Sequence, residues 1–235
     1  MKSIYHKAGS RGQANHGWLN SFFTFSFANY YDQERVHFGM LRVLNDDWID
    51  GGGGFDLHPH DNMEIVTILL EGELEHKDNM GHIMVIHPNE VQVMSAGTGV
   101  LHSEYNKNSD APVQLLQIWV FPEKKNLTPR YDQKSFDPSA RLNRWQVLVS
   151  PDDTGSLLIH QQAWFSRITL DESDSALYTF HNNQHGAYIF VIDGEADLEG
   201  HSLATRDGIG ISEVPSFLLK AKKKSEILVI EIPMH

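Results

Sequence analysis

Two histidines one residue apart, His58 and His60, are the residues whose types and spacing point most directly to chemistry. Alternate residues of a β-strand point to the same side, so both imidazoles could ligate one ion. Pro59 between them cannot donate a ladder hydrogen bond, which places the pair at the start or edge of a strand. The chain carries 14 histidines, so this pair alone is weak evidence for a metal site.

A second polar segment, residues 95–106, repeats the strand-like spacing with His102 and Glu104. Three neutral imidazoles and one carboxylate would leave a divalent cation with net positive charge. A five- or six-coordinate ion would also keep an exchangeable position, which is what a catalytic site needs. Glu64 has the parity to face the same ion, so spacing alone leaves open whether Glu64 or Glu104 is the carboxylate ligand.

Composition excludes several classes of protein. The 235 residues contain no cysteine, so disulfides, thiolate ligands and cysteine nucleophiles are ruled out. The formal charge of -12 disfavours a phosphate backbone as partner, and we expect no direct nucleic acid binding. The only dense basic cluster, residues 220–224, lies between two apolar runs and is interpreted as a solvated hairpin turn.

The sequence also indicates where the protein works. The first residues lack the apolar segment of a secretory signal, and the apolar runs are far shorter than the ~20 residues that span a bilayer. We therefore expect a cytoplasmic protein without a membrane partner. Nothing in the pattern signals an oligomer, and a monomer is expected.

The hydrophobic pattern is that of an all-β protein. Short runs rich in Val, Ile, Leu and aromatic residues are separated by Gly, Asn and Asp, and no segment has a convincing helical stripe. In FFTFSF, the alternating Phe23, Phe25 and Phe27 are interpreted as core residues on one face. Many short strands with turn signals between them predict a sandwich or barrel.

A weak internal repeat predicts two β domains. TILLEGELE around Gly72 is similar to IFVIDGEAD around Gly194. We predict an N-terminal metal-binding domain over residues 1–125, a linker over 126–143 and a C-terminal domain over 144–235. Aligning the two glycines puts Phe180 and Asn182 where His58 and His60 stand, so the second domain is expected to be degenerate and without metal.

The histidine segments resemble the two motifs of the cupin superfamily. The matching residues are Gly52, His58, His60 and Glu64 in the first motif and Gly99, His102 and Asn106 in the second. Gly97 replaces the usual proline, and seven residues rather than six separate Glu64 from Gly72. More specifically, GWLNSFFTFSFANYY, GFDLHPHDNMEIVTILLEGELEHKDNMG and MSAGTGVLHSEYN resemble the pirin family, and its quercetinase-like bacterial members in particular. The expected fold is two cupin-type β-barrel (jelly-roll) domains in one chain, a bicupin.

The resemblance implies a ligand set that the spacing could not decide. Carried over position by position, the metal ligands are His58, His60, His102 and Glu104, and Glu64 becomes a residue outside the ligand set or a core acid. The cofactor is one divalent transition metal. Iron is expected first, with manganese, cobalt, nickel, copper or zinc as alternatives. His76 and Asp78 also lie in a family-like segment and are interpreted as turn residues that hydrogen-bond locally.

The resemblance also implies two functions. The first is a dioxygenase that opens the heterocycle of a flavonol such as quercetin with dioxygen and releases carbon monoxide, with Glu104 as the base that takes the flavonol proton. The alternative is a redox-sensing metal protein that binds a transcription factor or a metabolic enzyme, in which case a protein partner exists.

Overall fold

Almost all regular structure in the chain is β-strand. The computed structural model describes residues 1–152 and 155–235. The strands up to the middle of the chain are β1 (Lys2–His6), β2 (Gly12–Asn15), β3 (Leu19–Phe23), β4 (Leu41–Ile49), β5 (Gly54–His60), β6 (Glu64–Glu71), β7 (Leu74–Asp78), β8 (Ile83–Ile86), β9 (Glu90–Ser95), β10 (Val100–Asn106), β11 (Val113–Val120) and β12 (Arg130–Ser135). The strands that follow are β13 (Gln146–Ser150), β14 (Leu157–Leu158), β15 (Trp164–Leu170), β16 (Ser175–Thr179), β17 (His185–Asp193), β18 (Glu195–Leu198), β19 (His201–Ala204), β20 (Gly208–Ser212), β21 (Ser216–Ala221) and β22 (Ser225–Pro233). Two single 3-10 turns, Ala8–Ser10 and Pro138–Arg141, complete the described regular structure.

The strands form two similar pairs of sheets, which confirms the prediction of an all-β fold with two jelly-roll units. The N-terminal unit has a large sheet in the order β12-β9-β6-β11-β4-β3-β2 and a small sheet in the order β5-β10-β7-β8. The C-terminal unit has a large sheet in the order β1-β20-β17-β22-β15-β13-β14 and a small sheet in the order β16-β21-β18-β19. Each unit is therefore a two-sheet sandwich rather than one continuous closed barrel.

The repeat predicted from two glycines has a structural basis. Gly72 turns the chain from β6 into β7, and Gly194 turns it from β17 into β18. Both have positive φ, +82° and +94°, which other residues rarely adopt. A Cβ atom at Gly194 would also lie 2.4 Å from the carbonyl oxygen of Lys224. The same turn therefore requires glycine in both units.

The large sheets pack against each other and share one hydrophobic core. Alternate residues of β6 and β11 face the opposite large sheet, whose β17 and β22 do the same. The buried residues at this contact include Val66, Ile68, Leu116, Ile118, Tyr188, Phe190, Leu228 and Ile230. The remaining residues of these strands face the small sheet of their own unit. They form separate interiors between the two sheets of each unit.

Two strands pair outside the segments to which the sequence assigned them. β1 pairs with β20, so the first strand of the chain extends the large sheet of the C-terminal unit. β12, which lies within the predicted linker 126–143, pairs with β9 at the edge of the other large sheet. The boundaries at residues 125 and 144 stay a prediction, but the connection between the units is partly sheet and not only loop.

Two smaller expectations concern the surface and the membrane. The basic cluster spans the end of β21 and the turn into β22. These strands belong to different sheets, so the predicted hairpin is wrong, and Lys223 pairs with Glu195 at 3.1 Å. In the part of the chain that the structure describes, no helix has the length and apolar character that crossing a bilayer would require.

Candidate metal centre

The three histidines selected from the sequence lie on two neighbouring strands of the N-terminal small sheet. β5 and β10 are antiparallel, with His58 directly opposite His102 and His60 opposite Val100. Along β10, His102 and Glu104 both point inward because they alternate with more exposed residues. A register shift between His102 and Glu104 adds a residue on the β5 side, and such bulges commonly re-aim side chains beside functional sites.

The imidazoles converge closely enough to share one ion. One nitrogen from each of His58, His60 and His102 lies within 4.8 Å of the other two. The ring centroids of His58 and His102 are 4.4 Å apart, and His60 is 4.9 Å from each. The Nδ1 of His58 lies 2.7 Å from the carbonyl oxygen of Asp56, which leaves its Nε2 for a ligand.

The electrostatics of the cluster fit a cation. Burial lowers the pKa of His102 to about 2 and that of His60 to about 4, with a smaller contribution from the neighbouring imidazoles. Both rings are therefore neutral near pH 7, which is the form that ligates a metal. Among the described residues, His102 Nε2 and Glu104 Oε1 are buried without a hydrogen-bond partner. A buried polar atom left unpaired costs about 1–3 kcal/mol, and a cation held by the three histidines would satisfy His102 Nε2.

Glu104 lies beside the histidine cluster on the same inward face. Its carboxylate is grouped with His76 and His102 within 4.8 Å, while its Oε2 accepts a hydrogen bond of 3.2 Å from Gln117 Nε2. Burial raises the pKa of Glu104 to about 7, and the nearby Asp47 adds to this. Gln117 thus holds the carboxylate in place, and its raised pKa allows it to exchange a proton near neutral pH in the metal-free protein. Its role as a fourth ligand stays a prediction.

Behind the cluster, His76 and Asp78 make both local and long-range contacts. Asp78 accepts hydrogen bonds from the backbone N–H groups of Met80 and His82, as expected of a turn residue. Its Oδ2 also lies 3.1 Å from His76 Nε2, and His76 Nδ1 lies 3.4 Å from His102 Nδ1. The sequence interpretation holds for Asp78, which begins the turn after β7, but is wrong for His76, a buried strand residue that connects to His102.

Glu64 and Asn106, which belong to the cupin-like motifs, hydrogen-bond to groups other than the histidine cluster. Glu64 Oε2 accepts hydrogen bonds from Ser95 Oγ at 2.9 Å and from the backbone N–H of His160 at 3.1 Å. Glu64 is therefore a core acid that joins the two units. The Nδ2 of Asn106 donates to the carbonyl oxygens of Ile49 and Ala111, so Asn106 fixes the backbone around the site.

The position of Glu64 predicts a pH-dependent stability. Burial raises its pKa from 4.5 to about 7. Its contribution to the free energy of unfolding is then complete below pH 4.5 and is lost as the pH rises through 7. The free energy of unfolding should fall by roughly 3 kcal/mol in total, because a pKa difference of one unit between the folded and unfolded states corresponds to about 1.36 kcal/mol. Urea unfolding of the apo protein should show this decline, and Glu64→Gln should remove it. If the free energies of unfolding of the wild type and Glu64→Gln changed in parallel between pH 4.5 and 8, the prediction would be wrong.

A cavity of about 250 Å³ opens beside the histidines. His58, His60 and Glu104 line it together with four aromatic side chains, those of Phe23, Phe27, Phe55 and Trp119. The residues that line the rest are His16, Leu19, Ser21, Ala28, Asn45, Asp47 and Gln117. A larger cavity of about 500 Å³ lies at the C-terminal unit between Lys2, His185 and His235. The smaller cavity is the chemically relevant one because two of the three clustered histidines, His58 and His60, line it together with Glu104.

The aromatic alternation of FFTFSF does not hold in the structure. β3 ends at Phe23, so the three phenylalanines do not share one face. Phe25 lies in the core between the large sheets, as predicted, whereas Phe23 and Phe27 line the cavity. Trp119 and Gln117 were not identified from the sequence, although their two-residue spacing on a strand was a usable signal.

Comparison with known proteins supports the similarity of both units to one family. The family model described as Pirin matches residues 5–120, and the model described as Quercetinase C-terminal cupin domain matches residues 147–232. A quercetin 2,3-dioxygenase of Escherichia coli strain K12 is 42% identical over 228 residues, which cover 97% of each chain. A pirin-like protein of Caulobacter vibrioides is 35% identical over 222 residues, 94% of this chain and 95% of that protein.

A solved structure agrees over the whole chain. The crystal structure of the bacterial pirin YhhW from Escherichia coli in complex with nickel(II) has a TM-score of 0.94 and 41% identity, and the match covers 99% of each chain. Two jelly-roll units in one chain, with a histidine cluster inside the first, define a bicupin. Within that class, the chain belongs to the pirin family, and its relatives identify it as a quercetinase-like pirin.

Proposed function

We propose that this protein is a metal-dependent dioxygenase that opens the heterocycle of flavonols such as quercetin and releases carbon monoxide. The observation that carries the proposal is that two of the three clustered histidines and Glu104, whose Oε1 has no partner in the described residues, line one cavity together with four aromatic side chains. The quercetin 2,3-dioxygenase name of the 42% identical relative supports the same reaction.

The proposed cofactor is one divalent transition metal held by His58, His60, His102 and Glu104. Imidazole and carboxylate ligands suit iron, manganese, cobalt, nickel, copper or zinc, so the donor set does not select one ion. The nickel(II) complex of YhhW supports a divalent ion in this family. When bound, the cation supplies positive charge that favours the deprotonated form of an enol oxygen.

The first chemical task of the protein is to take a proton. A flavonol has a 3-hydroxyl beside a 4-carbonyl, and the hydroxyl must be deprotonated to make the ring electron-rich. Burial raises the pKa of Glu104 to about 7 in the metal-free protein, and its Oε1 is buried without a partner among the described residues, so its carboxylate is the proposed acceptor of this proton. Gln117 holds the other carboxylate oxygen and thereby fixes the direction of Oε1.

The second task is to hold a flat aromatic ring in a dry environment. Phe23, Phe27 and Trp119 form a connected wall, with centroid distances of 5.3 Å from Phe27 to each of the others. Such rings favour a planar aromatic ligand through offset or edge contacts.

The proposed reaction balances with dioxygen as the oxidant. The bonds from C3 to C2 and C4 break, and C3 leaves as carbon monoxide with its own oxygen. The two atoms of dioxygen are taken up at C2 and C4, so the product is an ester that retains all other atoms of the flavonol. The proton removed by Glu104 returns to the product, and the carboxylate is regenerated.

The proposal is tested by measuring carbon monoxide released from quercetin under air. Apo protein is reconstituted separately with each candidate divalent metal, and His58→Ala treated identically is the control. We expect stoichiometric carbon monoxide with at least one metal and none with the variant. Absence of product with every metal, despite tight metal binding, would overturn the proposal and favour the regulatory hypothesis, with its protein partner.

A further inference from the structure

A row of polar side chains runs from His102 away from the cavity to the protein surface. His102 Nδ1 lies 3.4 Å from His76 Nδ1, and His76 Nε2 lies 3.1 Å from Asp78 Oδ2. The same Oδ2 lies 2.8 Å from His82 Nδ1. The side chains of His76 and Asp78 are fully buried, whereas that of His82 is 39% exposed. The row therefore starts at a proposed ligand and ends in solvent.

The position of every proton in this row follows from Asp78. Its Oδ1 accepts hydrogen bonds from the backbone N–H groups of Met80 and His82, which hold the carboxylate in place. Its Oδ2 can only accept, so His76 must carry its proton on Nε2. His76 Nδ1 is then an acceptor, and His102 must donate to it from Nδ1. The lone pair of His102 is consequently on Nε2.

This assignment agrees with an independent feature of the cluster. His102 Nε2 is buried without a hydrogen-bond partner among the described residues, while His58 and His60 offer nitrogens within 4.8 Å of a His102 nitrogen. A proton on Nε2 would occupy the ligating position and would have to be displaced before an ion could bind. The geometry of the row thus prepares His102 for a metal before the metal arrives.

We infer that His76 and Asp78 are positioning residues that fix the tautomer and orientation of His102 for metal binding. The inference rests on the proposed metal centre but not on the flavonol reaction. Outer hydrogen-bond partners of metal-bound histidines typically contribute 10–100-fold in metal affinity. His76 is also close enough to His102 and Glu104 to be considered a ligand itself, so its role has to be separated experimentally from direct ligation.

The main variant is Asp78→Asn. An amide that keeps its oxygen on the two backbone N–H groups turns its own N–H donors toward His76, which reverses the tautomer of His76. His76 Nδ1 then donates to His102 Nδ1, so His102 carries its proton on Nε2, the position that a metal needs. We expect nickel(II) affinity, measured by chelator competition, to fall 10–100-fold. Long-range 1H–15N NMR of the apo protein should show His102 protonated at Nδ1 in the wild type and not in the variant.

The C-terminal unit offers a matched control. Glu231 is a buried carboxylate that also lies within hydrogen-bond distance of two imidazoles, those of His181 and His185, at 2.8 and 2.9 Å. Glu231→Gln should therefore disturb stability much as Asp78→Asn does but leave nickel(II) affinity unchanged.

A second pair of variants guards against misfolding. His76→Asn retains an acceptor for His102 and should bind nickel(II) more tightly than His76→Leu.

The outcomes separate this inference from the proposed function. Wild-type affinity in Asp78→Asn, or a wild-type apo protein with His102 protonated at Nε2, would overturn the inference. Loss of one imidazole from the X-ray absorption signature of zinc-loaded His76→Leu would make His76 a ligand and also overturn it. A wild-type protein that binds no metal would instead remove the proposed metal centre, and one that binds metal without releasing carbon monoxide would leave the inference standing.

Discussion

Glu104→Gln is expected to lower flavonol turnover by about 10²–10⁴-fold, the range typical of a general base. The amide fills the same space and can still contact Gln117, but it cannot take the flavonol proton. Ring binding depends mainly on Phe23, Phe27 and Trp119, so it should change much less than turnover. Turnover is measured as carbon monoxide release at saturating metal, and binding by anaerobic titration of the flavonol absorption.

Glu64→Gln is the matched control for this experiment. Glu64 is also buried, and its pKa is also raised to about 7, but its Oε2 is bonded to Ser95 and His160 outside the cavity. Its replacement should leave turnover within a few-fold of the wild type. Unchanged turnover in Glu104→Gln would rule out Glu104 as the base. Equal losses in both variants would indicate a general effect of removing a buried acid.

His60→Ala is expected to weaken metal binding by more than ~100-fold, beyond the range for partners outside the ligand set. His60 is one of three converging imidazoles, and its removal leaves two imidazoles, those of His58 and His102, beside the proposed carboxylate ligand Glu104. The affinities for nickel(II) and cobalt(II) are measured by chelator competition. The cobalt(II) absorption bands should also change, because they depend on the number and geometry of the ligands.

His16→Ala provides a control within the same cavity. His16 lines the cavity with His60 but does not belong to either grouping of metal-ligating side chains found in the described residues. Its replacement should leave both affinities and the cobalt(II) spectrum nearly unchanged, although flavonol binding could respond. Equal metal affinity in His60→Ala and the wild type would remove His60 from the proposed ligand set.

The sequence by itself determined that His58 shares one strand face with His60 and that His102 shares another with Glu104. Side chains two apart on a strand share a face, and this property is local. The turn glycines are equally local: Gly72 and Gly194 adopt backbone angles that few other residues tolerate, so they mark the same turn in both units. The all-β fold follows for the same reason, since period-two patterns and turn residues are read within a few positions.

The tertiary structure decided which neighbours these faces meet. Glu64 and Glu104 have equal parity, but Glu64 lies on a large-sheet strand beside the other unit, while Glu104 lies on β10 next to the histidines. Phe25 and Phe27 diverge because β3 ends before them. These outcomes depend on the ends of strands and on which sheet packs against which, and neither is a property of neighbouring residues.

The row of polar side chains behind His102 also combines a local feature that the sequence predicts with a contact that only the tertiary structure creates. The sequence placed Asp78 in a turn, and its bonds to Met80 and His82 confirm that local role. Contact between His76 and His102 exists only because β10 lies between β5 and β7, which brings residues 26 positions apart to 3.4 Å. Strand parity selected the residues capable of holding an ion, and strand order decided which side chains support them, because pairing between distant strands is not encoded in local periodicity.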